Sequence, residues 1–415
     1  MTELTKHVNR DRIIRLTQQL VRINSEYEYK VVHNHKEISD FIAKELRSFG
    51  MQVEVVAGDP DFPVVVGRLK GATGKPTLGF ATHYNNVKVG SREKWSFDPH
   101  SGEYKDGKIY GRGAANSKGS VAGDIETARA LKESGIKRNG DLVVVFMPGE
   151  GATEFAMPWV VKNRPELIRA DWYMGGGGGG NFTRMHAGHV WFKLIVHGTQ
   201  VHPPCTANGC VNAVEKLLKV LPRVIKVEDW LTWKAEPPFE TRKPTADVTK
   251  IVAGHQINMI ADRAEADIDM RTLPNMTQPQ IEKALLALLD RLKKDDPEID
   301  VDIEWIWKSI VPYSDWFKVT EGDPIFKAIA EVAPKYTGRE PEWSNGVGGG
   351  AGRPDLWELG SKVIYFGVGG GGGGGAHGID EFVTVDGIVR KARFQVELAA
   401  KVLGAPTPTS SADQP

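Results

Sequence analysis

The first part of the chain switches repeatedly between helical spacing of apolar residues and the patterns typical of strands. Ile38, Ile42 and Leu46 recur at helical spacing and predict a helix over residues 35–49. The unbroken apolar run at 142–147 is typical of a strand buried on both faces. Further helices are predicted over 11–21 and 121–134, and further strands over 51–56, 63–69 and 77–81. This alternation predicts an α/β layered domain.

A second pattern begins near residue 188. Its predicted order is β-α-β-β-α-β, which is that of a split βαβ, or ferredoxin-like, unit. The strands are predicted over 190–196, 248–251, 264–270 and 299–306, and the helices over 208–224 and 279–293. The first pattern then returns, with helices over 325–333 and 385–400 and a strand over 363–366.

These patterns predict one domain inserted into another. We expect a layered α/β catalytic domain built from residues 1–187 and 309–405, with a lid and dimerisation domain of residues 188–308 between its segments. Residues 406–415 are polar and proline-rich, which predicts a disordered tail. A small-molecule substrate is expected between the domains, where ligand sites are common.

Composition excludes several classes of partner and location. Lys plus Arg and Asp plus Glu both number 53, so the chain lacks the basic excess that nucleic acid or an anionic membrane would attract. It has no long apolar span and no apolar signal segment at its start, and its two cysteines exclude a disulfide framework. These features favour the cytoplasm. Glycine runs at 175–180, 348–350 and 369–375 are predicted to be loops.

Several side chains that can do chemistry stand at the ends of predicted strands. His83 follows the strand at 77–81, and Glu150 follows the strand at 142–147. The carboxyl ends of parallel strands form the usual ligand crevice of an α/β sheet, where a carboxylate can act as a general base on water. His377 follows the last glycine run. Taken alone, His83 is more often an ordinary polar loop residue, Glu150 is also consistent with a surface acid in a turn, and His377 is as consistent with a structural role as with a functional one.

Taken together and in order, these segments resemble the M20 family of metal-dependent amidohydrolases and peptidases over nearly the whole chain. Any one match is weak, whereas six in the right order identify the fold. The six matches are His83; 95–99, Trp-x-x-Asp-Pro, together with 107–119, Gly-x-x-x-Gly-Arg-Gly-x-x-Asp-x-Lys-Gly; 148–151; 198–202 with Gly209, Asn212 and Ala213; Asn258 with Arg271; and 377–383, His-x-x-Asp-Glu.

The resemblance also reveals systematic losses. The family holds two metal ions with a bridging Asp, whose position is Asn116 here, and the Asp that orients the first His is replaced by Asn85. One metal-binding Glu is replaced by Gly151, and the last carboxylate ligand falls near Gly176 or Gly177.

The remaining ligands predict a single, weakly held ion. Two dications about 3.5–4 Å apart need several anionic ligands, which two imidazoles and one amide do not supply. His83, Asn116 and His377 are therefore predicted to hold one divalent transition metal, Mn, Zn or Co, with Glu150 nearby.

The resemblance implies a hydrolase that cleaves a C–N bond of a small carboxylate-bearing substrate. Glu150 would be the general base, and His202 of the partner subunit in a homodimer or higher homo-oligomer would stabilise negative charge. Arg271, Asn258 and Asn212 would bind the substrate. That substrate is expected to be an amide of an amino acid, or an aromatic amine such as a nitroanthranilate, on which one M20 relative acts.

Two other hypotheses stay open. The missing acids favour a metal-free binding or regulatory protein, although the retained histidines and Glu150 would have no chemical reason to persist there. The pure glycine runs and the Asn residues favour an inactivated variant of a conventional dinuclear peptidase or deacylase. In that case Asn116→Asp and Gly151→Glu should restore the metal centre.

Overall fold

The computed structural model describes residues 3–28, 31–150, 153–175, 182–186, 188–203, 209–235, 239–273, 276–309, 322–341, 343–346, 354–365 and 375–404. Gly151, Gly176, Gly177, Cys205 and the predicted tail lie outside these ranges, as does most of each glycine run. Within the described ranges, no helix combines the length and the apolarity needed to cross a membrane.

Helices occur at the predicted helical segments and at several others. In chain order they are α1 (Arg10–Arg22), α2 (His35–Ser48), α3 (Gly119–Glu133), α4 (Thr153–Asn163), α5 (Pro165–Ile168), α6 (Ala213–Val224), α7 (Gln278–Asp295), α8 (Pro324–Val332), α9 (Pro334–Thr337), α10 (Pro354–Glu358) and α11 (Val385–Leu403). The spacing in α2 buries Ile38, Ile42 and Leu46 on one face.

The strands include every predicted one and several short ones that the pattern did not predict. In chain order they are β1 (Tyr27–Glu28), β2 (Val31–Val32), β3 (Gln52–Val56), β4 (Val64–Leu69), β5 (Gly74–His83), β6 (Glu103–Lys105), β7 (Lys108–Tyr110), β8 (Gly140–Met147), β9 (Trp172–Gly175), β10 (Phe182–His186), β11 (His189–His197), β12 (Thr245–Ala253), β13 (Arg263–Arg271), β14 (Val301–Ser309), β15 (Trp343–Gly346), β16 (Lys362–Tyr365) and β17 (Phe382–Thr384).

The chain divides into two compact units. The first comprises Met1–Met185, Asp315–Ser344 and Arg353–Pro415, and the second comprises His186–Ser314 and Asn345–Gly352. The catalytic and lid roles expected of the two parts stay predictions.

In the described residues, the first unit is built on a sheet of strand order β15-β10-β16-β9-β5-β8-β4-β3. Its centre is parallel, because β5 pairs in parallel with β8 and β9, and β9 with β16. All of β8 is buried, as expected of a strand covered on both faces. Phe80 and Val144 of the sheet join Leu46, Ile125 and Leu398 of the helices in one solvent-free core.

The second unit has the element order β11, α6, β12, β13, α7, β14. Its antiparallel sheet has the order β12-β13-β11-β14, and buried residues alternate with half-buried ones along β13, which is the pattern of a sheet covered on one face. The predicted fold class, a layered α/β domain with an inserted ferredoxin-like unit, is confirmed.

The predicted start of the helix at 208–224 was wrong. Helix α6 begins at Ala213, because Asn212 has extended backbone and its side chain accepts a hydrogen bond from the backbone N–H of Val214 at 3.0 Å. An Asn in this position satisfies a backbone donor that the helix itself leaves free.

Candidate active site

Two parallel strands of the first unit bring His83 and Glu150 together. His83 ends β5 and pairs with Met147, which ends β8 just before Glu150. The side chain of Asn85 fixes the turn that carries Glu150. Its Oδ1 accepts hydrogen bonds from the backbone N–H groups of Gly149 and Glu150 at 2.7 and 2.8 Å, and its Nδ2 donates to the Glu150 carbonyl at 3.0 Å.

The His83 ring is oriented by the backbone. Its Nδ1 lies 3.0 Å from the carbonyl oxygen of Asn85, so Nδ1 is the natural position for the proton of the neutral ring and Nε2 remains available. Nε2 lies 2.9 Å from Ser117 Oγ and 3.1 Å from Asn116 Oδ1. No role was predicted for Ser117, because its contact with His83 depends on the turn after Asn116.

Asn116 joins all the predicted residues of the first unit into one cluster. Its Nδ2 lies 3.0 Å from Glu150 Oε2 and 3.0 Å from His377 Nε2. The backbone of His377 has φ +69°, in the left-handed region that residues other than Gly rarely adopt. Such backbone strain is more frequent at functional sites. Through the Asn116 amide, four side chains form a single group of close polar contacts: His83, Asn116, Glu150 and His377.

A fully buried carboxylate, Glu381, shapes the loop that carries Asn116. It accepts hydrogen bonds from the backbone N–H groups of Gly113, Ala115 and Asn116 at 3.0–3.1 Å, and from the Arg112 guanidinium at 2.7 Å. Arg112 also donates to the carbonyl of His377 at 3.2 Å. This pair fixes both ends of the cluster, although sequence reasoning assigned it no role.

The cluster is electrostatically polarised around Glu150. Burial alone would raise the pKa of this carboxyl, but the hydrogen bond with His377, the charges of His83 and His377 and the amide of Asn116 lower that pKa to about 2. The hydrogen bond with Glu150 in turn raises the pKa of His377, against the effect of burial. At neutral pH, Glu150 is therefore an anion, and its carboxylate accepts a hydrogen bond from the Asn116 amide.

The remaining predicted residues belong to the second unit. His202 and Asn258 are exposed and lie in neighbouring loops, which the hydrogen bond from Ile260 N–H to the Val201 carbonyl joins at 2.8 Å. Asn212 uses its side chain to cap α6. These positions leave the predicted substrate roles of the three residues as predictions.

Arg271 lies far from His202 within this unit. It ends β13 opposite His189, the first residue of β11, whereas His202 follows the last residue of β11. A strand rises about 3.3 Å per residue, so the two side chains are separated by roughly the length of the sheet, of the order of 25 Å. Arg271 Nη2 donates to Asp269 Oδ2 at 2.7 Å and its side chain is one-third exposed.

Comparison with known proteins identifies the family. The model of peptidase family M20/M25/M40 matches residues 79–401. The chain belongs to this family. The M20 chain is 29% identical over 331 residues to succinyl-diaminopimelate desuccinylase of Stenotrophomonas maltophilia (strain K279a), covering 75% of this chain and 80% of that protein. The predicted class is confirmed, since M20 membership makes the protein a hydrolase acting on C–N bonds.

Solved M20 structures share the fold. A di-peptidase of Saccharomyces cerevisiae superposes with a TM-score of 0.82 at 14% identity, covering 98% of this chain and 99% of that one. A dinuclear metal-binding peptidase of Bacillus subtilis superposes with a TM-score of 0.61 at 15% identity, covering 95% and 98%.

The donor set in this M20 chain does not fit a pair of metal ions. Glu150 is the one other carboxylate in the described part of the cluster besides Glu381, which Arg112 and backbone donors fully engage. No group of three His, Cys, Asp or Glu residues in the described ranges has the arrangement of a metal site. The donors present are two imidazole nitrogens, an amide oxygen and one carboxylate, and the single transition-metal ion expected of them stays a prediction.

Proposed function

We propose that this protein hydrolyses a C–N bond of a small, carboxylate-bearing substrate, with Glu150 as the proton acceptor. The observation that carries the proposal is the position of the Glu150 carboxylate, whose two oxygens lie 3.8 Å from His83 Nε2 and 3.5 Å from His377 Nε2. The side chain is mostly buried but still reaches solvent, so a water molecule can approach it.

Each group in the cluster has a task in this reaction. Glu150 accepts a proton from the attacking water as its oxygen bonds to the substrate carbon, and the same proton then passes to the leaving nitrogen as the C–N bond breaks. Asn85 keeps the Glu150 backbone in place. His377 beside the carboxylate stabilises its charge.

His83, Asn116 and His377 would hold one divalent ion, Mn, Zn or Co. Such an ion, when bound, would polarise the substrate and lower the pKa of water. An ion bound by His377 Nε2 would have to displace Asn116 Nδ2, which lies 3.0 Å from that nitrogen, and this supports weak binding.

The substrate carboxylate is assigned to Arg271, since a guanidinium recognises carboxylates through paired hydrogen bonds. The separation of Arg271 from His202 within one subunit supports a homodimer, in which His202 and Asn258 of one subunit complete the site of the other. The edge strand β12 carries Ile251 and Val252, both about half exposed. Exposed apolar edge strands are sites of pairing between chains.

A substrate panel tests the reaction. N-succinyl and N-acetyl amino acids, dipeptides and aminobenzoates such as 5-nitroanthranilate would be incubated with the protein and Mn(II), Zn(II) or Co(II), and release of amine or ammonia measured. The proposal is supported if Glu150→Gln abolishes turnover and Glu166→Gln, a control at an exposed position, leaves turnover intact. Turnover that survives Glu150→Gln would exclude the assigned role.

Subunit complementation tests the dimer. Glu150→Gln and His202→Ala variants, each inactive alone, would be mixed, dissociated and reassociated. If His202 acts across the interface, the mixture regains activity in about a quarter of its sites, because half of the dimers are mixed and one site in each is intact. A mixture that stays inactive, with mixed dimers present by native mass spectrometry, contradicts the trans arrangement.

A metal-free binding protein is the second candidate. The amide of Asn116, with its hydrogen bonds to Glu150 and His377, favours it because the cluster is satisfied without an ion. Saturable binding of panel compounds without turnover, unchanged by metals, would support this alternative over hydrolysis.

A further inference from the structure

The first unit contains a concavity of about 580 Å³ that the proposed reaction does not use. This volume lies in the range of small-molecule sites. Four basic and two acidic side chains line it, contributed by α1, α9 and α11: Arg10, Lys335, Arg390 and Arg393, with Asp386 and Glu397. We refer to these six residues as the arginine pocket.

The two acidic residues of the arginine pocket already have basic partners. Asp386 forms an ion pair with Arg10, and Glu397 lies 3.2 Å from Lys335 Nζ. Neither carboxylate therefore offsets the other two positive charges, and the pocket has a net charge of about +2 at neutral pH, since arginine and lysine remain protonated there.

Arg390 and Arg393 carry that excess charge. They are three residues apart on α11, so their side chains share a face of the helix. Within the described ranges neither forms an ion pair or hydrogen bond, and the Nε of Arg393 is buried without an acceptor. The buried Nε itself is closed to a ligand, so the terminal N–H groups of the two guanidinium groups would be the ones that bind it.

A phosphate group matches these unpaired donors. Guanidinium groups bind phosphate through two parallel hydrogen bonds, and a phosphate supplies about two negative charges with three acceptor oxygens. Val389 and the ring of Tyr336 also line the pocket and offer apolar surface to an attached organic group. We propose that the arginine pocket binds a small molecule carrying a phosphate or diphosphate group.

The test uses the full chain and inorganic pyrophosphate, titrated calorimetrically at constant ionic strength. We expect saturable binding at millimolar ligand or below. Arg393→Gln should weaken it at least about tenfold, the loss expected for a charge-assisted hydrogen bond, and the Arg390→Gln, Arg393→Gln double variant should abolish it. Arg291→Gln on α7 is the matched control, because it removes the same charge from an exposed position outside the pocket.

Three results would overturn the proposal: no binding at millimolar pyrophosphate, binding that both pocket variants leave unchanged, or equal weakening by Arg291→Gln. A citrate titration separates anion classes, and tighter binding of citrate than of pyrophosphate would contradict the phosphate assignment. If circular dichroism shows that Arg393→Gln does not fold, the variant at the exposed position, Arg390→Gln, still decides the outcome. A severalfold loss of pyrophosphate affinity in that variant supports the proposal, and unchanged affinity contradicts it.

Discussion

The Nε2 of His377 lies 3.5 Å from Oε1 of Glu150, although 227 positions separate them in the chain. This contact joins the first and last of the three segments of the first unit at the point where hydrolysis is proposed. It also explains why Glu150 stays ionised, because the hydrogen bond with His377 opposes the effect of burial on its pKa.

Replacing Glu150 by Gln should therefore remove catalysis while keeping the fold. General base catalysis contributes about 10²–10⁴-fold to rate, so we expect kcat to fall at least about 100-fold with KM little changed. Steady-state kinetics on the substrate found by the panel gives the result, with thermal unfolding as the check on folding. A fall confined to KM would instead mean that Glu150 contributes binding.

Asn116→Asp should strengthen metal binding and weaken the metal-free fold. The new carboxylate would lie where the amide now contacts Glu150 at 3.0 Å, and two like charges so close repel unless a cation lies between them. Equilibrium dialysis with Mn(II) and Zn(II) should give affinity at least about tenfold higher than in the unsubstituted chain, with a lower melting temperature that metal restores. Asn163→Asp adds the same charge at an exposed position on α4 and should change neither quantity. Unchanged metal affinity in Asn116→Asp would contradict the view that loss of this acid weakened the site.

Lys391→Met should be strongly destabilising. Lys391 Nζ donates to Asp124 Oδ1 at 2.9 Å, and both side chains are 1% exposed. Removing one partner of a buried pair leaves an uncompensated charge and costs about 3–5 kcal/mol. Urea denaturation should reveal this loss, whereas Lys327→Met on the exposed face of α8 should change the free energy of unfolding by less than about 0.5 kcal/mol. Adding Asp124→Asn to Lys391→Met should recover much of the loss, and no recovery would argue against a charge effect.

His35 should make the fold sensitive to mild acid. Burial lowers the pKa of His35 from 6.5 to about 4, so between these pH values the imidazole is protonated in the unfolded chain and neutral in the folded protein. The free energy of unfolding is therefore highest above about pH 6.5 and falls by about 3 kcal/mol as the pH drops toward 4. Urea denaturation across this range should have a shallower pH dependence in His35→Phe, whose ring fits among Tyr27, Phe62 and Tyr84. His33→Gln, at an exposed position, should keep the original slope.

The fold and half of the site follow from local pattern. His83 and Glu150 were predicted because each stands at the end of a buried strand, and parallel strands end together. His377 and Asn116 required the family resemblance, since nothing local distinguishes them. The roles of Arg112 and Glu381 depend on a contact that spans 269 positions, which no periodicity reveals. The capping role of Asn212 could have been predicted, because Asn is a preferred residue before a helix. It was missed because the predicted helix start at residue 208 placed Asn212 inside the helix.

The buried carboxylate of Glu381 holds the backbone of the loop that carries Asn116. Because it accepts hydrogen bonds from the backbone N–H groups of Gly113, Ala115 and Asn116, this support of the loop uses neither the side chain at position 116 nor an inorganic ion. Evolution or laboratory selection can therefore exchange the chemistry at this position while the loop persists. The same backbone could then carry either a metal-binding residue or a hydrogen-bonding one at position 116.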